Sequence, residues 1–399
     1  MLFQRFESEG LAHYSYMVGD GERAVVIDPR RDCQVYVEAA TRAGLGITHI
    51  VETHRHEDFV IGSVELSNRT GAKVLHSSYD ELQYSYGCRI AEGEAIKLGG
   101  LRLELLHTPG HTRGHMSFVP CLRTTGLRLR DASGAAWMVF TGDTLFAGDV
   151  GRCDFYGPDK LTEMAGLLYD SIFQKTLPLG DGVIVCPAHG SGSACGTAIA
   201  ERPWTTIGLE GKLNPMLWLT DRSEFVQRAA RTLDYPPYFR QMERLNLQGT
   251  AEAMPEPRLL TVKEFLQRMP EAVVLDTRMD VAFATGHVPG SLSIWEQGIP
   301  GWAGWFIPHE RPILLVSDGN ESRPPCACST AWAMTGSKGF WRAACSPGTR
   351  PHARASTMPL WTGANCASFS AAGRSCGSWT CEANTRCSNW RFLGHITFH

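Results

Sequence analysis

Along the first 245 positions the apolar residues come in short runs that stop at polar turns. Ala24-Val-Val-Ile-Asp28 reads as a buried strand, Asp32 to Ala43 repeats its apolar residues at helical spacing, and Ile47-Thr-His-Ile-Val-Glu52 reads as the next strand. Leu101 to Leu106 alternates and ends at Thr108-Pro-Gly110, while Ala136 to Phe140 and Gly182 to Cys186 are further apolar strands. A second series follows a stretch, Gly249 to Pro257, that has the composition of a linker. There Leu260-Thr-Val-Lys-Glu-Phe-Leu-Gln opens a helix, Ala272 to Arg278 and Pro312 to Val316 are strands, and Phe283 to Leu292 ends in a turn.

That regularity stops near Arg323. From there to His399 only three branched aliphatics (Leu360, Leu393, Ile396) and no valine occur, against five tryptophans, so the usual aliphatic core cannot form. Seven of the 13 cysteines crowd into the same stretch. Charge flips as well: the stretch has eight basic residues and one acid (Glu382), although the whole chain has 38 basic and 41 acidic residues. A Cys-rich metal or disulfide module is one reading, and translation out of frame is the other. The spacings include Cys326 and Cys328 but no repeated C-x2-C pair with histidines at finger spacing, which favours the second.

The chain as a whole has 399 residues, 43% of them hydrophobic and 20% charged, with a net charge of -3. Such a chain fills two or three domains and lacks the positive field that binding to nucleic acid or an anionic membrane requires. No apolar stretch of membrane-spanning length occurs, so a soluble, cytoplasmic protein is expected. A single chain leaves a homo-oligomer open.

Candidate chemistry lies at the strand ends. Four turns carry imidazole or carboxylate: Thr53-His54-Arg55-His56-Glu57-Asp58-Phe59, Thr108-Pro-Gly-His111-Thr112, Thr141-Gly-Asp143-Thr144 and Pro187-Ala-His189-Gly190. A metal that activates small molecules needs neutral imidazole nitrogens and an anionic oxygen on rigid elements, with positions left open for substrate. His13, His76, His107 and His115 are expected to be surface or hydrogen-bonded residues instead.

T-H-x-H-x-D, T-P-G-H-T, T-G-D and P-x-H-G, in this order, resemble the metallo-β-lactamase fold over about residues 1 to 245. Glu52 to Gly62, Phe146 to Arg152, His189 to Gly196 and Thr205 to Pro215 are similar to the persulfide dioxygenases, especially those fused to rhodanese domains. The resemblance implies an α+β chain: a metallo-β-lactamase αββα sandwich (1–248), a linker (249–257), a partial α/β rhodanese-like domain (258–322) and an anomalous tail (323–399). The rhodanese likeness rests on V-L-D-T-R at 274–278 and G-H-V-P-G-S at 286–291. Ser317-Asp318-Gly319 stands where the persulfide-carrying cysteine is expected, and a serine hydroxyl forms no persulfide.

The same resemblance implies one iron(II) held by His54, His111 and Asp143, with zinc as the alternative metal. The implied reaction is oxidation by O2 of a thiol persulfide, such as glutathione persulfide, to sulfite and free thiol. His56, Asp58 and His189 are then expected to orient ligands or water, Arg152 to grip a substrate carboxylate, and Cys195 to face the pocket as a sulfur acceptor. Two-metal hydrolases of this fold carry a histidine directly after the motif's aspartate, where this chain has Phe59. That departure counts against the competing reading, a zinc thioester hydrolase of the glyoxalase II type. A third reading, an idle sulfur carrier or scaffold, has the least support because the first site is complete.

Overall fold

The computed structural model describes residues 1–8, 10–122, 136–249, 258–318 and 340–344, all within one compact unit, Met1–Thr349. Its first sheet has β1 (Leu2–Ser8), β2 (His13–Asp20), β3 (Arg23–Ile27), β4 (Gly46–Val51), β5 (Lys73–Ser77) and β6 (Cys88–Ile90), side by side in chain order. The pairings are antiparallel from β1 to β3 and parallel from β3 to β6. The crossover from β3 to β4 runs through α1 (Gln34–Arg42), and that from β4 to β5 through α2 (Ser63–Thr70).

The second sheet is built from β7 (Ala95–Leu98), β8 (Leu101–His107), β9 (Met116–Leu122), β10 (Met138–Gly142), β11 (Ile184–Pro187) and β12 (Thr205–Thr206). Only β10 and β11 pair in parallel there, and the long helix α3 (Pro158–Asp170) lies between them in the chain. The helices α4 (Ile207–Leu213), α5 (Arg222–Ala229) and α6 (Phe239–Gln248) follow.

Strand periodicity sorts the side chains into layers. Tyr16, Val18, Val25 and Ile27 face Leu103, Leu105, Met138 and Phe140 across the gap between the sheets. Their alternates Met17, Ala24 and Val26 pack on Tyr36, Ala39 and Ala40 of α1. Val139 and Val185 pack outward on Leu168 and Phe225. The order is helix, sheet, sheet, helix, as expected. Predicted strand limits fall within about two residues of those observed, because each apolar run ends where its strand does.

A third sheet is wholly parallel, in the order β13 (Arg258–Leu259), β17 (Phe340–Ala344), β16 (Ile313–Ser317), β14 (Val273–Asp276) and β15 (Leu292–Ser293). The helices α7 (Val262–Arg268), α8 (Asp280–Thr285) and α9 (Ile299–Phe306) accompany it. Thr261 and Glu264 form a capping box at the start of α7. Thr250 to Pro257 of the expected linker, and the stretch from Arg323 onward except Phe340–Ala344, lie outside the described residues. Among the described residues no helix is long and apolar enough to cross a membrane.

Candidate metal centre

The four histidine- and aspartate-bearing turns follow β4, β8, β10 and β11 and meet at one edge of the sandwich. Donor atoms of His54, His111 and Asp143 lie within 4.8 Å of one another, and all three residues are buried. Each is held by identifiable neighbours.

At the end of β3, Asp28 takes a left-handed φ of 49°, a conformation that aspartate tolerates better than most residues. Its carboxylate accepts hydrogen bonds from the Thr53 backbone N–H and from the Thr53 hydroxyl, each at 2.7 Å. Having given its proton to Asp28, the hydroxyl can only accept from Nδ1–H of His54, 2.9 Å away. Nε2 of His54 is therefore the bare nitrogen, and it is buried with no hydrogen-bond partner. Burial, reinforced by His56 and His111, pushes this imidazole's pKa well below its usual range, so it stays in the neutral, ligating form.

His111 follows the same logic. Its Nδ1–H donates to the Arg152 carbonyl at 2.8 Å, leaving Nε2 unprotonated. That Nε2 lies 3.4 Å from Asp143 Oδ2 without a hydrogen bond between them. Two lone-pair nitrogens and a carboxylate thus converge in a buried space. Without a cation they would repel, so the residues fit a bound metal ion.

The Asp143 turn depends on two close approaches. Gly142 has a φ of +50°, and a Cβ there would strike the His115 ring. A Cβ at Gly151 would strike the Asp143 carbonyl. His115 accepts the Asp143 backbone N–H on Nε2 at 2.9 Å and so must donate from Nδ1, with the Thr108 hydroxyl 2.9 Å away. His115 and His13 are both 0% exposed, which corrects any reading of them as surface residues. His13 is bridged to His189 through the backbone, and its ring lies 4.0 Å from that of Phe59. His76 and His107 are hydrogen-bonded to the carbonyls of Tyr86 and Arg113, as expected.

His189 stands between two carboxylates, with Nδ1 2.9 Å from Asp143 Oδ1 and Nε2 2.8 Å from Asp58 Oδ2. Burial opposes a charge on it, but Asp143 and Asp58 outweigh burial and raise its pKa well above the usual value. Burial likewise pushes the Asp143 carboxyl up, and His189 with His111 reverses this and holds it below the usual carboxylate range. His56 Nε2 is 3.2 Å from Asp28 Oδ1 but is not aligned for a hydrogen bond. Burial works against its charge, and the carboxylates of Asp28, Asp58 and Asp143 together raise its pKa.

Arg152 does not play the part expected of it. Nε donates to Asp154 Oδ1, NH1 to the Ala194 and Asp234 carbonyls, and NH2 to Asp154 Oδ2 and the Leu233 carbonyl. All five N–H groups of a guanidinium are used, and the side chain is 1% exposed. No donor remains for a substrate carboxylate. Cys195 is buried, with its sulfur grouped with the donors of Asp58 and His189, and its carbonyl accepts the Arg152 N–H.

Asn246 of α6 had no signal in the sequence. Its Nδ2 donates to the carbonyls of His56 (2.7 Å) and Phe59 (2.8 Å), and its Oδ1 accepts the Ile61 N–H (2.9 Å). One buried amide thus satisfies three backbone groups of the turn that carries His54, His56 and Asp58. The Thr205 to Pro215 segment braces the other side: Glu210 accepts the Gly148 N–H and Asn214 donates to the Asp149 carbonyl.

A sandwich of this order with a histidine and aspartate centre at one edge defines a class, and the chain's relatives agree with it. Residues 9–120 match the family described as the metallo-beta-lactamase superfamily. The hydroxyacylglutathione hydrolase GloC of Haemophilus influenzae is 30% identical over 218 residues, which cover 50% of this chain and 89% of that protein. The mitochondrial persulfide dioxygenase ETHE1 of Bos taurus is 33% identical over 235 residues, covering 57% of this chain and 79% of that one. A crystal structure of a metallo-beta-lactamase from Staphylococcus aureus superposes with a TM-score of 0.72 at 25% identity, covering 86% of this chain and 99% of its own. The chain belongs to the metallo-beta-lactamase superfamily. By name, these relatives of a metal-binding superfamily include both a hydroxyacylglutathione hydrolase and a persulfide dioxygenase.

Proposed function

We propose that this chain is an iron(II)-dependent persulfide dioxygenase that converts a thiol persulfide and O2 to sulfite and free thiol. The observation that carries the reading is the donor set itself: two imidazoles with bare, unpartnered Nε2 atoms and one carboxylate, the arrangement used by non-haem iron oxygenases. Similarity to persulfide dioxygenases over more than half the chain supports it.

His54, His111 and Asp143 would hold the ion. When bound there, ferrous iron would supply a redox-active Lewis acid able to take up a soft sulfur anion and O2. The protein's share is orientation and exclusion of water. Thr53 and the Arg152 carbonyl fix the two imidazoles, His115 fixes the backbone of Asp143, and His189 fixes its carboxylate. In the balanced reaction both atoms of O2 pass to the terminal sulfur of the persulfide, and the sulfur–sulfur bond breaks. Water provides the third oxygen of sulfite and the proton on the departing thiol. In this reading His56, Asp58 and His189 would hold that water or its protons. With Arg152 fully engaged, a glutathione carboxylate would need other partners. Small molecules in the cytoplasm are the expected substrates, with no nucleic acid or membrane partner.

The parallel third sheet supports a rhodanese-like reading of residues 258–322, with Ser317 ending β16 in place of the sulfur-carrying cysteine. The competing reading is zinc-dependent thioester hydrolysis, favoured by similarity to GloC across 89% of that protein. Oxygen uptake by the iron-loaded protein on adding glutathione persulfide, with sulfite measured, tests the first. S-lactoylglutathione cleavage by the zinc form tests the second. Oxygen loss matched by sulfite and abolished in His111→Ala supports the dioxygenase. Flat oxygen with thioester cleavage overturns it.

A further inference from the structure

The core of the third sheet, which includes Ile294, Ile299, Ile307 and Leu315, takes in one ring from outside that sheet: Tyr238 packs against it. The same ring packs on Val60, Met242 and Leu245. Tyr238 stands directly before the first residue of α6, and Val60 follows Phe59 in the turn that carries His54, His56 and Asp58. One side chain therefore belongs to two cores. Burial raises the pKa of its phenol, and Asp58 and Cys195 add to the rise, so the hydroxyl end of the ring lies toward the donor turn.

From Tyr238, α6 runs along the donor turn. Met242 and Leu245 cover Val60, Glu243 lies 3.3 Å from the guanidinium of Arg55, and Asn246 holds the His56 and Phe59 carbonyls. Arg55 sits between His54 and His56, so the grip falls on the donors' own stretch of chain. Toward the third sheet, Gln241 Nε2 is 3.4 Å from Nε2 of His309, just past α9. A separate contact reaches the same turn. A Cβ at Gly10 would come 2.9 Å from the Gln297 carbonyl and 3.0 Å from Pro300 at the start of α9, and Leu11 beside it packs on Phe59 and Ile61.

We propose that Tyr238 is a positioning residue: through its ring the third sheet holds α6 on the donor turn, and so sets how tightly His54, His111 and Asp143 bind metal. A helix of ten residues is marginal by itself and takes its stability from what it packs against. At its start α6 has the third-sheet core, and along its length it has the donor turn. Packed interiors pass a displacement on instead of absorbing it. Loss of the Tyr238 ring frees the start of α6, and Glu243 and Asn246 then hold the turn less firmly. The inference rests on the metal site but not on the persulfide reading, since either reaction needs His54 in place.

The test uses full-length Tyr238→Ala and Tyr238→Phe, with two readings. Hydrogen exchange of the metal-free protein compares the donor-turn peptide, residues 53–61, with β8 as a remote reference. Tyr238→Ala is expected to exchange about tenfold faster in the turn and unchanged in β8, because only the local opening becomes easier. Competition between a chelator and the cobalt(II) form should show about tenfold weaker binding in Tyr238→Ala, with shifted d–d absorption bands. Tyr238→Phe keeps the ring and should restore both. Unchanged exchange in the turn, or an equal rise in β8, overturns the proposal. So does a folded Tyr238→Ala with the affinity and bands of the unaltered chain. Should Tyr238→Ala fail to fold, Ile307→Val loosens the third-sheet core from its own side, and a donor turn that exchanges no faster overturns the proposal equally. The exchange reading needs neither metal nor activity, so failure of the dioxygenase function leaves it intact.

Discussion

The Arg152 carbonyl holds Nδ1 of His111 at 2.8 Å while the guanidinium of the same residue ties Asp154, Ala194, Leu233 and Asp234 together. One residue thus links a donor imidazole to three separate stretches of chain. Its side chain and that of Asp154 are 1% and 3% exposed, so Arg152→Ala strands a buried carboxylate. Loss of about 3–5 kcal/mol of stability is expected, with reduced metal content. Denaturant melts and metal analysis check it. A stable, fully metallated variant with only a raised KM would show that Arg152 contacts substrate after all.

Thr53→Val keeps the side-chain shape and removes the hydroxyl that fixes the His54 tautomer. Metal affinity should fall about 10- to 100-fold, the usual effect of losing a group that orients a ligand. Competition with a chelator of known affinity measures this. Unchanged affinity would mean that packing alone sets the ring.

Asn246→Ala leaves the His56 and Phe59 carbonyls and the Ile61 N–H without their partner. At about 1–3 kcal/mol for each buried group left unsatisfied, partly relieved by water, a total loss of roughly 3 kcal/mol is expected. Asn246→Asp should not rescue it, because a carboxylate cannot donate to the two carbonyls. If the aspartate variant matched the native protein in urea, the hydrogen-bond account of α6 would fail.

Among the described cysteines only Cys88 is exposed. Burial, aided by Asp154, pushes the Cys153 thiol up to about 12, and burial raises Cys33, Cys186 and Cys195 as well. At pH 8 the reactive thiolate of Cys153 is then roughly one part in ten thousand. Among these six cysteines, iodoacetamide on the native protein should therefore modify Cys88 first, and the buried ones only after unfolding. Peptide mapping that found Cys153 or Cys186 labelled as fast as Cys88 would contradict the packing described.

The strands and the donor turns were legible because both are local. Alternation in Val25, Val26 and Ile27 marks a strand with two faces, and His54 and His111 sit directly past such runs. What the chain does not display are bonds between distant positions. Asn246 looks like any polar residue on an amphipathic helix, and nothing near Arg152 in sequence announces that residues 194, 233 and 234 will consume its donors. His115 carries no signal for the same reason: its partner is the backbone of Asp143, 28 residues away. Asp28 was visible only as the polar end of a strand, although its carboxylate sets the tautomer of a donor through Thr53.

The hydrogen bond from Asn246 to the His56 carbonyl spans 190 positions. On a ribosome adding about 5–20 residues per second, roughly ten to forty seconds separate synthesis of the donor turn from synthesis of the amide that fixes it. During that interval His54, His56 and Asp58 lie on a turn with three unfilled backbone groups. Assembly of the centre therefore belongs to the last stage of the chain's maturation, after α6 has docked, and a metal taken up earlier would meet ligands not yet held in place.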